Sequence, residues 1–237
     1  VDSKKISLCI TNYNRLEYLL GSFADVVNDD RISEIVIADD CSERAIQDQI
    51  IRAIRLTPKV KFHPGEKNLG VYANKRRAVS LAENEYCILF DSDNVITKDY
   101  IDAIYRTEWN HKTILAPDLA WPHFDYTHFA GINFSKLNVA KYANLPRFDC
   151  LANTCNYFVH RDSYLSVWQP ADVDGEDSIY FFYLWLLSGN DVYCVSNMKY
   201  FHRTEHKRGE YGSNYNRVAV QTAPRATKIL ELISRMR

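Results

Sequence analysis

The residues best suited to chemistry are two carboxylates one residue apart at the end of an apolar run. Tyr86-Cys-Ile-Leu-Phe90 leads directly into Asp91-Ser92-Asp93, so both acids would project from the end of a strand. Hard oxygens placed this way can share Mg2+ or Mn2+ and leave coordination positions for phosphate oxygens. An Asp-rich turn or a helix N-cap would use the same residue types. A second acidic pair, Asp39-Asp40, ends the run Glu34-Ile-Val-Ile-Ala38. It offers an acceptor to a nucleobase N–H, or else a turn capped with the help of Ser42. Tyr13, just past the first apolar run, could stack on a base or simply pack. Asn68-Leu69-Gly70 turns into a helix carrying Lys75, Arg76 and Arg77, which suits a diphosphate. At least one of those three cations is expected on a solvated face. Farther on, Asp174-Gly175-Glu176-Asp177 precedes an apolar helix. One acid there can act as general base beside an acceptor hydroxyl, and an acidic helix start favoured by the helix dipole is the alternative. His202, and less so His206, could complete a metal site.

These groups need elements to carry them. Lys4 to Thr11 reads as a buried strand broken by Asn12-Tyr13-Asn14-Arg15, after which Leu16, Leu19, Leu20 and Phe23 recur at helical spacing. Strands follow at 34–38, 60–63 and 86–90. Helices lie between them at 43–55, with Ile46, Ile50, Ile51 and Ile54 on one face, and at about 72–81. Strands alternating with helices predict a parallel, Rossmann-like sheet flanked by helices, whose ligands gather outside the carboxyl ends of the strands. Thr11 to Arg15, Asp39-Asp40 and Asp91 to Asp93 all fall at such ends. From about residue 110 the pattern turns irregular, and 121–151 is aromatic and polar, as in an antiparallel ribbon with loops. A strand at 156–160, a helix at 178–187 and a strand at 191–195 restore order. The spacing divides the chain into a first half over 1–110 and a second over 111–221. An amphipathic helix closes it within 222–237, where Ile229, Leu232, Ile233 and Met236 sit among basic residues.

With 30 acidic against 29 basic residues in 237, no global field favours nucleic acid or an anionic membrane. The balance points toward a small-molecule or carbohydrate partner. The six cysteines show no metal-ligand spacing, and Cys9, Cys87 and Cys194 lie in apolar runs as small buried hydrophobes. Reduced thiols and the lack of an apolar leader or a spanning run lead us to expect a cytoplasmic protein. The chain opens on Val rather than Met, and a longer natural chain is compatible with it. The terminal helix could touch a membrane surface, join two copies, or pack on its own domain.

Taken together, Thr11-Asn12-Tyr13-Asn14-Arg15, Asp39-Asp40-Cys41-Ser42, Asn68-Leu69-Gly70 with its basic helix, Asp91-Ser92-Asp93 and Glu176-Asp177 resemble the family-2 glycosyltransferases, inverting enzymes of the GT-A fold. The resemblance implies an α/β GT-A fold with a small antiparallel acceptor region. It also implies a donor that is a nucleotide-diphosphate sugar, with uridine favoured, a saccharide or lipid-linked glycan acceptor, and Mn2+ or Mg2+. By the same resemblance Thr11, Tyr13 and Asp39 or Asp40 hold the nucleoside, with Arg15, Asn68 and Ser92 in the same donor-binding motifs. Lys75 stands near the diphosphate, Asp93 binds the metal, and Asp91 lies closer to the ribose and donor sugar. Asp177 is the base with Glu176 beside it, and His202 is a further metal ligand. Two departures stand out. Cys41 replaces a customary glycine, and Asn153-Thr154-Cys155-Asn156 replaces a small-residue loop near the donor sugar. No Gln-x-x-Arg-Trp motif is present, which argues for transfer of one sugar per encounter. A nucleotidyltransferase lacks support because no Gly-rich loop follows the first strand. No GxGxxG follows it either, which speaks against a dinucleotide site. An inactive binding module on the same fold remains the other reading.

Overall fold

The computed structural model describes residues 4–153, 156–170 and 178–203. The chain runs β1 Ile6–Asn12, α1 Leu16–Ser22, β2 Ile32–Asp39, α2 Arg44–Ile54, β3 Val60–Pro64, α3 Val71–Leu81 and β4 Tyr86–Asp91. It continues as β5 Val95–Ile96, α4 Lys98–Arg106, β6 Thr113–Trp121, β7 Phe124–Asp125, β8 Asn133–Phe134 and α5 Phe148–Asn153. Past these come β9 Tyr157–His160, α6 Arg161–Val167, α7 Ser178–Leu187 and β10 Asp191–Phe201. The strands form one sheet in the order β3-β2-β1-β4-β9-β6-β10-β5, with β7 added to β6 and β8 to β10.

Sequence pattern explains the middle of this sheet. All seven residues of β1 are buried, because it lies between β2 and β4, parallel to both, and parallel strands are covered on both faces. The outer strand β3, parallel to β2, alternates less cleanly and is mostly half-buried. Helix α7 is apolar on every side, and Phe181 through Leu186 are all buried, as expected of a helix enclosed by its domain. Helix α2 turns Gln47 and Ile50 inward. Ile51, expected on that buried face, is 45% exposed: one residue after Ile50 is about 100° further around the helix.

The sheet is mixed, as the expected antiparallel region requires. Strand β9 is antiparallel to β4 and to β6, and β6 is parallel to β10. It follows that β1, β2, β4, β6 and β10 all end on one edge, carrying Asn12, Asp39, Asp91, Trp121 and Phe201. Strand β6 was not legible in the pattern, because Pro117 sits mid-strand and lacks a donor for the ladder. The structure accommodates it at a bulge. Val195 pairs with Pro117 and Lys199 with Leu119, and the register shifts between them. Asn197 there adopts φ 62 and donates its N–H to Asp118 Oδ2 at 2.8 Å. Helix α4, also unassigned from sequence, starts at a Thr97 cap that accepts from the Tyr100 N–H at 3.3 Å. No helix among the described residues is long and apolar enough to cross a membrane. Cys9, Cys87 and Cys194 are buried free thiols, and the terminal helix lies outside the described residues.

Candidate functional site

The edge begins where β1 and β2 end. Asp39 is fully buried, and protein donors surround its carboxylate. Asn12 Nδ2 donates to Oδ1 at 2.8 Å, and Ser42 Oγ donates to the same oxygen. The Ser42 N–H donates to Oδ2 at 2.9 Å, with Gln47 Nε2 at 3.4 Å. Asn14, at φ 52, ties the first loop to this turn. Its N–H donates to Ser42 Oγ at 2.8 Å, and its Oδ1 accepts the Glu43 N–H at 2.9 Å at the start of α2. Cys41 adopts φ 65, the left-handed region that glycine enters without cost. The turn therefore keeps the backbone that the replaced glycine would favour. Gly65 packs beneath it: a Cβ there would lie 2.8 Å from the Asp39 carbonyl oxygen.

Asp40 reaches sideways instead. Its two oxygens accept the Leu69 N–H at 2.8 Å and the Gly70 N–H at 3.0 Å, with Asn68 Oδ1 also 3.0 Å from the Gly70 nitrogen. Burial pushes the Asp40 carboxyl above its ordinary pKa, and those two amides pull it back. The loop therefore enters α3 at a fixed point, with Gly70 at φ 80. The three cations of α3 have three different fates. Lys75 is buried and pairs with Asp91 at 3.3 Å. Arg76 is exposed and lies over the Trp168 ring. Arg77 donates to the carbonyls of Asp39, His63 and Pro64, stitching α3 to the ends of β2 and β3. Asn74 holds the Ala38 carbonyl at 2.9 Å.

At the end of β4, Thr11 Oγ1 donates to Asp91 Oδ1 at 3.3 Å, and the Asp91 N–H donates to Asn156 Oδ1 at 2.9 Å. Ser92 is buried and bonds the Thr11 carbonyl through its N–H. Asp93 forms an ion pair with Arg15. Each carboxylate is thus paired with a cation from another segment, Asp91 with Lys75 and Asp93 with Arg15. Two carboxylates in this setting fit a divalent cation of the kind that keeps one or two protein ligands and takes the rest from phosphate oxygens and water. An all-protein cage is not built: among the described residues no three His, Cys, Asp or Glu side chains form a metal-sized group. His202 instead stands in an aromatic cluster, its ring 5.0 Å from Phe124 and 5.7 Å from His123. Its N–H donates to the Trp121 carbonyl at 2.7 Å.

Thr11, Arg15, Lys75, Asp91, Ser92 and Asp93 are therefore brought together by the ends of β1 and β4 and by α3. Tyr13, 44% exposed, stands on the rim just past Asn12. Asp40 and Asn68 frame the neighbouring loop, and Asp39 lies beneath the surface. Glu176, Asp177 and His206 lie outside the described residues. Three buried asparagines carry part of the site: Asn156, which the sequence marked only as the end of the 153–156 loop, and Asn74 and Asn94, which were not singled out. Their signal was available, because each is a lone amide beside an apolar run, where burial demands a partner.

Comparison with known proteins agrees with this geometry. Residues 7–119, from β1 nearly to the end of β6, match the family model described as Glycosyl transferase family 2. Abequosyltransferase RfbV of Salmonella typhimurium is 33% identical over 106 residues, 43% of this chain and 32% of that protein. Cholesterol galactosyltransferase of Borreliella burgdorferi is 25% identical over 147 residues, 62% of this chain and 39% of that protein. The chain therefore spans between about a third and two fifths of the length of these relatives. Among solved structures, S. aureus TarS 1–349 in complex with UDP-GlcNAc superposes with a TM-score of 0.67 at 20% identity. That match covers 88% of this chain and 60% of TarS 1–349. It shows the same α/β fold. The matched segment 7–119 is the one that carries the Thr11, Asp39-Asp40 and Asp91–Asp93 corners, so the similarity to glycosyl transferase family 2 falls on the site itself.

Proposed function

We propose that this protein transfers a single sugar from a nucleotide-diphosphate sugar, with UDP as the favoured nucleotide, onto a saccharide or lipid-linked glycan. The observation that carries the reading is the corner where Asp91 and Asp93 meet Lys75 and Arg15 at one end of a family-2 sheet. The TarS structure in complex with UDP-GlcNAc supports a uridine donor, and the two relatives, named for abequosyl and galactosyl transfer, support sugar transfer as the reaction.

In this proposal Tyr13 and Thr11 border the nucleoside. Of the acidic pair, Asp40 is the member on the ligand side, holding the 68–70 loop, while Asp39 organises the turn. Lys75 and Arg15 orient the diphosphate and offset the charge that builds on it as the sugar departs. Asp91 and Asp93 would hold a divalent cation, which would supply further positive charge to the diphosphate. Asp177, with Glu176 beside it, takes the proton of the acceptor hydroxyl. That oxygen bonds to the anomeric carbon as the bond to the diphosphate oxygen breaks, and the configuration inverts.

Thermal shift against a panel of nucleoside diphosphates, each with and without Mn2+, tests the reading. The expected result is stabilisation by UDP that needs Mn2+ and vanishes in Asp93→Ala. No stabilisation by any diphosphate would move the assignment to a binding module that keeps the fold without the chemistry.

A further inference from the structure

On the edge that carries Asp91 and Asp93, two large rings of the described residues are left to solvent, Tyr13 beside β1 and, more exposed, Trp121 in the second half. Trp121, the last residue of β6, is 55% exposed. A single exposed ring is ordinary on any surface, and what distinguishes this one is where it stands and how it is held. Trp121 is the register partner of Phe201 in the parallel β6–β10 pair, and Phe201 is in turn the partner of Val95 in the antiparallel β10–β5 pair. Two strand spacings place Trp121 about 10 Å from Val95, and Asp93 precedes Val95 by two residues, at most about 7 Å of chain. A second link joins the same strands: Asn94 Oδ1 accepts the Arg203 N–H at 3.4 Å.

The ring is also fixed in place. Phe201 packs against it with centroids 5.3 Å apart. The Trp121 carbonyl accepts the His202 N–H, and the following turn closes through His123 N–H to the Ala120 carbonyl at 3.0 Å. A preorganised aromatic face carries little ordering cost on binding. The groups around it are polar or mixed: His123 is exposed and His202 half-buried. The other exposed large apolar side chains among the described residues of the second half, Leu137 and Leu145, lie in the segment between β8 and α5. An isolated rigid ring with hydrogen-bonding neighbours matches the apolar face and hydroxyl fringe of a pyranose. A lipid needs a continuous apolar surface.

We infer that Trp121 is the platform on which a saccharide ring of the acceptor stacks, beside the Asp91–Asp93 corner. The inference rests on the glycosyltransferase reading above and names the acceptor side of that site as carbohydrate.

Of the four tryptophans, Trp185 is buried and Trp109 and Trp168 are half-buried, so ligand-dependent emission changes report chiefly on Trp121. The test titrates wild-type protein, Trp121→Ala and Trp121→Tyr with cellotriose, chitotriose, maltotriose and mannotriose in the presence of UDP and Mn2+. Thermal stabilisation by UDP and Mn2+ is measured in parallel on all three proteins. The expected result is a saturable emission shift with at least one trisaccharide, lost in Trp121→Ala. Trp121→Tyr, followed by tyrosine-compatible calorimetry, keeps binding within about tenfold, and the UDP response is equal in all three. A trisaccharide affinity that is the same by calorimetry in Trp121→Ala overturns the inference. So does a protein that binds UDP yet responds to none of the saccharides, or one whose Trp121 responds only to cholesterol in detergent micelles. A saccharide response at Trp121 without any UDP response keeps the platform and removes the glycosyltransferase reading.

Discussion

Replacing Asp39 by Asn separates a structural carboxylate from a ligand-binding one. Asp39 has no exposed surface, and four donor groups converge on its two oxygens: Asn12 Nδ2, Ser42 Oγ, the Ser42 N–H and Gln47 Nε2. An asparagine keeps the shape but turns one oxygen into an NH2. Whichever way the amide is oriented, two donors then face a donor. Leaving a buried donor unsatisfied costs about 1–3 kcal/mol. The Ser42 hydroxyl can rotate to accept, which relieves the Oδ1 side more than the Oδ2 side, so the amide settles with NH2 toward Ser42 Oγ and Asn12. One donor clash and the loss of charge-assisted bonds remain, and the net cost is about 3 kcal/mol. That is a large part of the roughly 5–15 kcal/mol that holds a domain together. Urea denaturation followed by circular dichroism measures it as a shift in midpoint at constant slope. An Asp39→Asn protein within about 0.5 kcal/mol of wild type would refute the claim that this carboxylate organises the turn.

Further outcomes follow from the same reasoning. Cys41→Gly should stabilise the protein by about 0.5–1 kcal/mol, because relief of left-handed strain worth about 1–2 kcal/mol outweighs the added freedom of glycine in the unfolded chain. A lower urea midpoint in that variant would contradict the strain argument. Asp118 is buried, and burial pushes its carboxyl above the ordinary value while the Asn197 N–H pulls it back. The folded state therefore binds this proton more tightly than the unfolded state. The stability Asp118 contributes is full below the unfolded pKa of about 3.9 and is lost as pH rises through the folded value. Asp118→Asn keeps an acceptor for Asn197 and removes the ionisation, so its stability relative to wild type should rise between pH 4 and pH 7. Parallel pH–stability curves for the two proteins would refute this.

Sequence pattern carried the first half of the molecule well, for physical reasons. Strands β1, β2 and β4 are covered on both faces, so they read as largely apolar runs, and α1 and α2 showed apolar residues at helical spacing. Strand β6 was hidden because Pro117 and Asp118 interrupt it, and only the bulge in β10 makes them acceptable there. The same bulge hid the length of β10, which continues past Val195 through exposed Ser196 and Asn197 to Phe201. Within the site, the types of group were readable and their orientation was not. Asp39 and Asp40 are adjacent and chemically alike, yet one is enclosed by donors from α2 and β1 while the other clamps the 68–70 loop. That difference depends on which way the strand end faces, and it emerges only when the loops pack around it. Likewise the basic run 75–77 gave three cations, but only the helix phase decides that Lys75 faces Asp91, Arg76 solvent and Arg77 the ends of β2 and β3.

The central claim is transfer of a sugar from a nucleotide donor, and direct observation of donor turnover tests it. Wild-type protein, Asp93→Ala and Asp177→Asn would each be incubated with UDP-glucose, UDP-galactose and UDP-N-acetylglucosamine in Mn2+, and UDP release followed by NMR. The account predicts UDP release from at least one donor by wild type, with loss of at least about a hundredfold in either variant. UDP release that is equal in all three proteins would contradict it.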